Sequence, residues 1–138
     1  MFRRLIYFII SALLISCIQK NQLKIGTFEL YEKGENIGTI YRLNKYQIEE
    51  YVNGEILYAK LIWKTDSSFI LKGTELRPKK IDTVTFLNTI KRFENNKYHI
   101  YVTPFNVDSD YKYEAILIKK SNSIKKYLDT LIKLNTTR

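Results

Sequence analysis

Cysteine occurs once in this chain of 138 residues, and so does histidine. A single cysteine, Cys17, excludes an intramolecular disulfide and any paired Cys-x-x-Cys redox or zinc motif. A single histidine, His99, excludes a dyad of two histidines and a multi-histidine metal site. The five glycines form neither a phosphate-cradling loop nor a Gly-x-Ser-x-Gly elbow. Carboxylates are also poorly placed for chemistry. Glu49 and Glu50 are adjacent, and adjacent strand residues point to opposite faces. Asp108 and Asp110 offer too few oxygens for a hard cation and read as a solvated turn. No enzymatic reaction, metal or cofactor is expected from this composition.

What the chain does have begins at its start. Arg3 and Arg4 precede an apolar run, Leu5 to Ile15, interrupted only by Ser11. This is the layout of a secretory signal peptide. As a helix, the run would reach about 16 Å at 1.5 Å per residue, too short for a hydrocarbon core of about 30 Å. Leu14-Ile15-Ser16-Cys17 resembles the lipobox of bacterial lipoproteins, with an aliphatic residue three places before the cysteine and a small residue directly before it. The resemblance implies cleavage between Ser16 and Cys17, a diacylglycerol thioether on Cys17, and acylation of the new amino terminus. Two or three such chains hold a protein on a membrane essentially permanently. The other reading, an unmodified lone thiol in an exported protein, leaves Cys17 without a role. The expected organisation is a signal peptide over 1–16, a lipidated tether over 17–24, and one domain over 25–138.

Removing the signal leaves 122 residues with 21 basic and 14 acidic side chains, a balance of +7. One core suffices for that length. A basic balance suits nucleic acid, anionic lipid or an acidic partner. Export removes nucleic acid from the choice and leaves the membrane surface. The lysines are scattered as pairs, Lys79-Lys80, Lys119-Lys120 and Lys125-Lys126, among acids, as on a solvated surface.

From Ile25 on, the dominant period is two. Runs at Ile25–Glu32, Ile37–Leu43, Tyr46–Val52, Ile56–Thr65, Ser68–Lys72, Thr83–Phe93, Lys97–Thr103 and Tyr111–Ile118 alternate as strands. In the fourth run Leu57, Ala59, Leu61 and Trp63 share one face, and Tyr58, Lys60, Ile62 and Lys64 the other. Glu32 to Asn36, Asn44-Lys45, Asn53-Gly54, Thr65 to Ser67 and Asn95-Asn96 supply turns, with Asn-Gly expected to adopt a type I′ hairpin. Thr74 to Asp82 reads as a loop, and Pro104 ends the seventh strand. Short connections make an antiparallel meander the simplest topology, and a curled meander is a barrel. The expected fold is therefore mostly β, about eight antiparallel strands in a barrel or strongly curved sheet. A C-terminal amphipathic helix follows over 123–134, where Ile124, Tyr127, Leu128, Leu131 and Ile132 recur at helical spacing after the N-cap candidate Ser123. It would pack on the sheet, close one end, or lie on the membrane.

Two functional classes follow. In one, the barrel carries or senses a small apolar ligand lined by Phe28, Leu57, Leu61, Trp63 and Phe69. In the other, the same residues are simply core, and the protein is a structural or protein-interaction module of the envelope with a protein partner there. Filled small barrels favour the second. The eleven tyrosines suit either a ligand-stacking surface or half-buried strand positions.

Gly26-Thr27-Phe28 followed by a meander and a helix resembles the lipocalin and fatty-acid-binding group, with Phe28 in place of its tryptophan. Gly26-Thr27-Phe28, Gln47-Ile48-Glu49, Leu61-Ile62-Trp63-Lys64, Asp66 and Phe69-Ile70-Leu71 together are similar to small uncharacterised lipoproteins of flavobacteria and their relatives. Some of those are labelled DNA topoisomerase IV, which no ATP-binding loop or catalytic tyrosine motif supports here. The group has no known active site, so the resemblance implies none. It implies an exported protein anchored in the cell envelope. Ile18 after the cysteine, rather than aspartate, points to the outer membrane and its periplasmic side.

Overall fold

The computed structural model describes residues 22–74 and 85–137. The expected signal peptide, Ser16, Cys17, most of the tether and residues 75–82 of the expected loop lie outside the described residues.

Eight strands follow one another as β1 (Ile25–Glu32), β2 (Glu35–Leu43), β3 (Tyr46–Tyr51), β4 (Ile56–Thr65), β5 (Ser68–Thr74), β6 (Thr85–Glu94), β7 (Lys97–Pro104) and β8 (Tyr113–Ser121), and helix α1 (Leu128–Thr136) comes last. Each strand pairs antiparallel with its neighbours in sequence, and β1 also pairs with β8, so the meander is a closed barrel. Closure leaves no strand edge to template aggregation.

Local sequence explains most of the path. Lys33-Gly34 and Asn95-Asn96 have positive φ at both residues, the requirement of a two-residue type I′ turn. The Asn53-Gly54 hairpin is at its expected place, but only Gly54 is left-handed there, at φ 86°. The turn is closed instead by Gly54 N–H on Tyr51 C=O, and Glu55 N–H donates to Asn53 Oδ1. Val52 lies just past the end of β3 and is exposed, although its N–H still donates to Ile37 C=O.

Bulges bend the sheet into a barrel. Register shifts fall at Leu30/Tyr31, Thr27/Phe28, Trp63/Thr65 and Ile90/Arg92. The seam between β1 and β8 also needs Gly26. Its φ is +136°, and a Cβ there would collide with the Ser121 carbonyl oxygen.

Phe28, Leu30, Ile40, Leu61, Phe69, Ile100, Val102, Ala115 and Leu117 form the interior. The chain enters at the end of the barrel that carries the 44–45, 66–67 and 95–96 turns, here the N-terminal end. Leu23 is buried in the core at that end. Lys119 Nζ donates to the carbonyls of Gln22 and Ile25, and Asn44 N–H donates to that of Lys24. Aromatic pairs fill the interior nearby: Trp63 with Phe69, and Phe93 with Tyr98.

The helix differs from its expected span. It starts at Leu128 after Tyr127 in a left-handed conformation, without a side-chain cap. Ser123 is not its N-cap: its N–H is held by Ser121 Oγ and its carbonyl by Thr27 Oγ1. Residues 122–127 are used to carry the chain from the end of β8 onto the outer wall. There Leu131 and Ile124 cover Ile48, flanked by Tyr41, Tyr46 and Tyr127. Asn135 fixes the far end, donating to Leu43 C=O at 2.9 Å and accepting from Lys45 N–H at 3.2 Å. Lys126 Nζ reaches Glu50 Oε2 at 2.6 Å. The helix thus packs on β2 and β3 from outside.

Candidate functional site

Strand alternation brings one polar ladder into the apolar interior. The Asn44-Lys45 turn sets the register Arg42↔Gln47, Ile40↔Glu49 and Gly38↔Tyr51. Since Ile40 faces in, so do Arg42, Gln47, Glu49 and Tyr51. Arg42 is 1% exposed and Glu49 5%. Arg42 Nη1 donates to Leu23 C=O at 3.0 Å and Nε to Gln47 Oε1 at 2.8 Å. Gln47 Nε2 donates to Glu49 Oε1 at 2.5 Å, and the Tyr51 hydroxyl donates to Glu49 Oε2. The guanidinium also lies 5.3 Å from the Phe28 ring centroid and 4.9 Å from that of Phe69, close enough for cation–π attraction.

Burial is the largest electrostatic influence on both ends of this ladder. It pulls the Arg42 pKa down to about 10, against the favourable charge of Glu49. It pushes the Glu49 carboxyl up, against hydrogen bonds from Tyr51 and Gln47 and the charge of Arg42. The Tyr51 and Tyr113 hydroxyls are raised by burial and by Glu49. The ladder is a linked pair of opposite charges, bridged by one amide, that neutralises itself inside the barrel.

Beside it a cavity of about 110 Å³ remains, lined by Arg42, Glu49, Leu57, Phe69, Phe86 and Tyr113 among others. Ligand pockets begin near 300 Å³. Of the five residues proposed as lining, Leu57 and Phe69 border this cavity. Phe28 and Leu61 are buried in the core, and Trp63 packs half-buried against it, with Lys24 Nζ 5.3 Å from its ring. All five belong to the inward face. The Trp63 Nε1 and the Tyr98 hydroxyl are buried without a hydrogen-bond partner among the described residues.

A larger concavity, about 660 Å³, lies on the outer wall over β6, β7, β8 and β1. Its residues include Tyr31, Lys91, Arg92, His99, Tyr101 and Lys112. Ile116 sits opposite both His99 and Tyr31, and Tyr101 opposite Glu114. Arg92 Nη2 donates to His99 Nε2 at 3.2 Å, and Lys91 Nζ stands 5.7 Å from the Tyr101 ring centroid. A hydrogen bond to Glu114 raises the Tyr101 hydroxyl pKa. Exposed rings beside cations suit a protein surface bearing acidic and apolar side chains.

Neither site was named from the sequence. The buried ladder had a signal: Arg42 and Glu49 share the parity of Ile40 once the Asn44-Lys45 hairpin is registered. The outer groove had none, because it joins β1 to β6 through the closed seam. Glu49 and Glu50 do point apart, Glu49 into the barrel and Glu50 to Lys126 on the outside. Asp108 and Asp110 are exposed in the connection from β7 to β8. Comparison with family models, characterised proteins and solved structures finds no match to this chain.

Proposed function

We propose that this protein is a lipid-anchored lipoprotein of the bacterial envelope, held through acylated Cys17, placed on the periplasmic side of the outer membrane by its lack of a retention aspartate, and acting as a protein-interaction module. The observation that carries the interaction role is where the space lies. The interior is filled by its own side chains down to about 110 Å³, whereas the outer wall offers about 660 Å³ lined by rings and cations, with Glu32 and Glu114 among them. An apolar carrier would also have to receive its ligand beside the charges of Arg42 and Glu49, whose burial is already costly. The likeness to small flavobacterial lipoproteins supports the same reading. The lipobox supports the anchor.

A photo-crosslinking residue in place of Tyr101, with the same residue in place of Ile62 as control, tests the role in the native envelope. Ile62 is 43% exposed on the wall of β4, outside the groove. A discrete crosslinked protein from position 101 and none from position 62 is expected; identical patterns would refute the groove. Excess native mass that disappears on denaturation would instead establish a carrier. Cys17→Ser should abolish fatty-acid labelling, and undiminished labelling would refute the anchor.

A further inference from the structure

We propose that the N-terminal end of the barrel is a docking surface for an anionic phospholipid leaflet, an inference that rests on the anchored reading above. The meander separates charge along the barrel axis. At the N-terminal end lie Gln22, the turns 44–45, 66–67 and 95–96, the end of β8 and, through the Asn135 bonds, the last turn of α1. Within two residues of Gln22, of those turns or of the end of β8, or in that last helical turn, stand Lys24, Lys45, Lys64, Lys97, Lys120 and Lys133, besides the buried Arg42 and the partly buried Lys119, against Asp66 and Glu94. Lys45, Lys64, Lys97, Lys120 and Lys133 are exposed. The opposite end has the other sign among the described residues: Glu32, Glu35, Glu55, Asp108, Asp110 and Glu114 outnumber Lys33, Lys72 and Lys112.

A second feature of the same end fits a headgroup. A cleft of about 230 Å³ is lined by Gln22, Asn96, Lys119, Lys120, Ser121 and Asn122, every one of them polar. Lys119 Nζ is turned to the carbonyls of Gln22 and Ile25, which pins residues 22–25 along the cleft. Lys120 Nζ lies 3.4 Å from Glu29 Oε1, with its side chain half exposed. Ser121 Oγ is engaged by Ser123 and Lys119 Nζ by the two carbonyls, so the amides of Gln22, Asn96 and Asn122 and the half-exposed Lys120 ammonium are the donors that match a phosphate diester.

A membrane, rather than a soluble anion, is the occupant favoured by extent and by position. The lysines are spread over several turns and the helix end instead of converging on one pocket. Cys17 precedes Gln22 by five residues, a reach of no more than about 18 Å at 3.6 Å per residue, so an acylated Cys17 holds this end near the headgroups. The tether therefore lets this end come within a Debye length of the headgroups, about 8–10 Å at physiological salt, where lysines are attracted to an anionic leaflet and added salt screens the attraction.

The test uses the full chain expressed with its own signal and extracted from membranes. Intact mass reads acylation of Cys17, which decides the anchor separately. The same preparation is placed in nanodiscs of phosphatidylcholine alone or mixed with phosphatidylglycerol, and lysine acetylation rates are read by peptide mass spectrometry. Lys45, Lys64, Lys97 and Lys120 should be acetylated about threefold or more slowly on the anionic discs, with protection lost at high salt. Lys33 and Lys112 at the opposite end should not change. Lys45→Glu with Lys97→Glu should reduce the protection of Lys64 and Lys120. Equal rates on both discs would overturn the proposal, as would protection of the opposite end. Slowing of Lys120 by inorganic phosphate in detergent, without any dependence on lipid charge, would overturn it in favour of a soluble-anion site. Should Cys17 carry no acyl group, the anchored reading fails, and sedimentation of the same chain with phosphatidylglycerol vesicles takes over: salt-sensitive binding supports the docking surface and no binding overturns it.

Discussion

Arg42→Met separates the contributions inside the barrel because methionine keeps much of the side chain's length and loses its charge. The substitution removes hydrogen bonds to Gln47 Oε1 and Leu23 C=O, each about 1.5–3 kcal/mol for a charged donor. It removes two aromatic contacts, on Phe28 and Phe69, about 1–2 kcal/mol each when desolvated. It also relieves the burial of a guanidinium, which costs several kcal/mol. What decides the sign is the group left behind. Glu49, 5% exposed, loses the charge that compensates it, and breaking a buried pair from one side typically costs about 3–5 kcal/mol. The expected loss is about 3–4 kcal/mol at neutral pH, or about 12–16 °C in Tm at about 4 °C per kcal/mol. Urea unfolding followed through Trp63, the only tryptophan, measures it. The loss should shrink in acid. The Glu49 carboxyl is raised in the folded state, so its protonated form favours folding, and stability is lost as pH rises through the folded pKa. Without Arg42 that dependence steepens. An unchanged or raised urea midpoint for Arg42→Met would show that guanidinium desolvation dominates and would refute the reasoning.

Glu49→Gln mimics the protonated acid, so its stability relative to the wild type should improve as pH rises; paired urea titrations in mild acid and mild base check this, and a constant difference would count against it. Gly26→Ala should cost about 2–3 kcal/mol, because alanine at φ +136° is strained and its Cβ meets the Ser121 carbonyl at the seam; a loss below about 0.5 kcal/mol in the same assay would mean that the seam adapts. Leu131→Ala should cost about 3 kcal/mol by opening a cavity over Ile48. The exposed neighbour Leu128→Ala should stay within about 0.5 kcal/mol; equal losses would show that α1 is held otherwise.

Some of this protein is determined within short windows of its sequence. Alternation requires only that successive strand side chains point to opposite faces, so the inward parity of Phe28, Leu57, Leu61, Trp63 and Phe69 and the divergence of Glu49 from Glu50 are readable without a fold. Turn chemistry is equally local, which is why the Asn95-Asn96 hairpin and the position of the Asn53-Gly54 hairpin are legible. The strand limits are less so: β8 runs to Ser121 rather than Ile118 because its last residues pair with β1. The helix begins at Leu128 because the chain must first leave the seam and cross to the outer wall. The charged ladder is intermediate, visible in the parity of Arg42 and Glu49 but given its meaning only by burial on every side. The separation of charge between the two ends follows from the meander, which sends alternate turns to opposite ends. Closure and the outer groove were decided by tertiary structure alone. Both depend on β1 meeting β8 nearly ninety residues later, and that meeting is set by the accumulated twist and bulges of the strands, a sum that no local stretch of sequence contains.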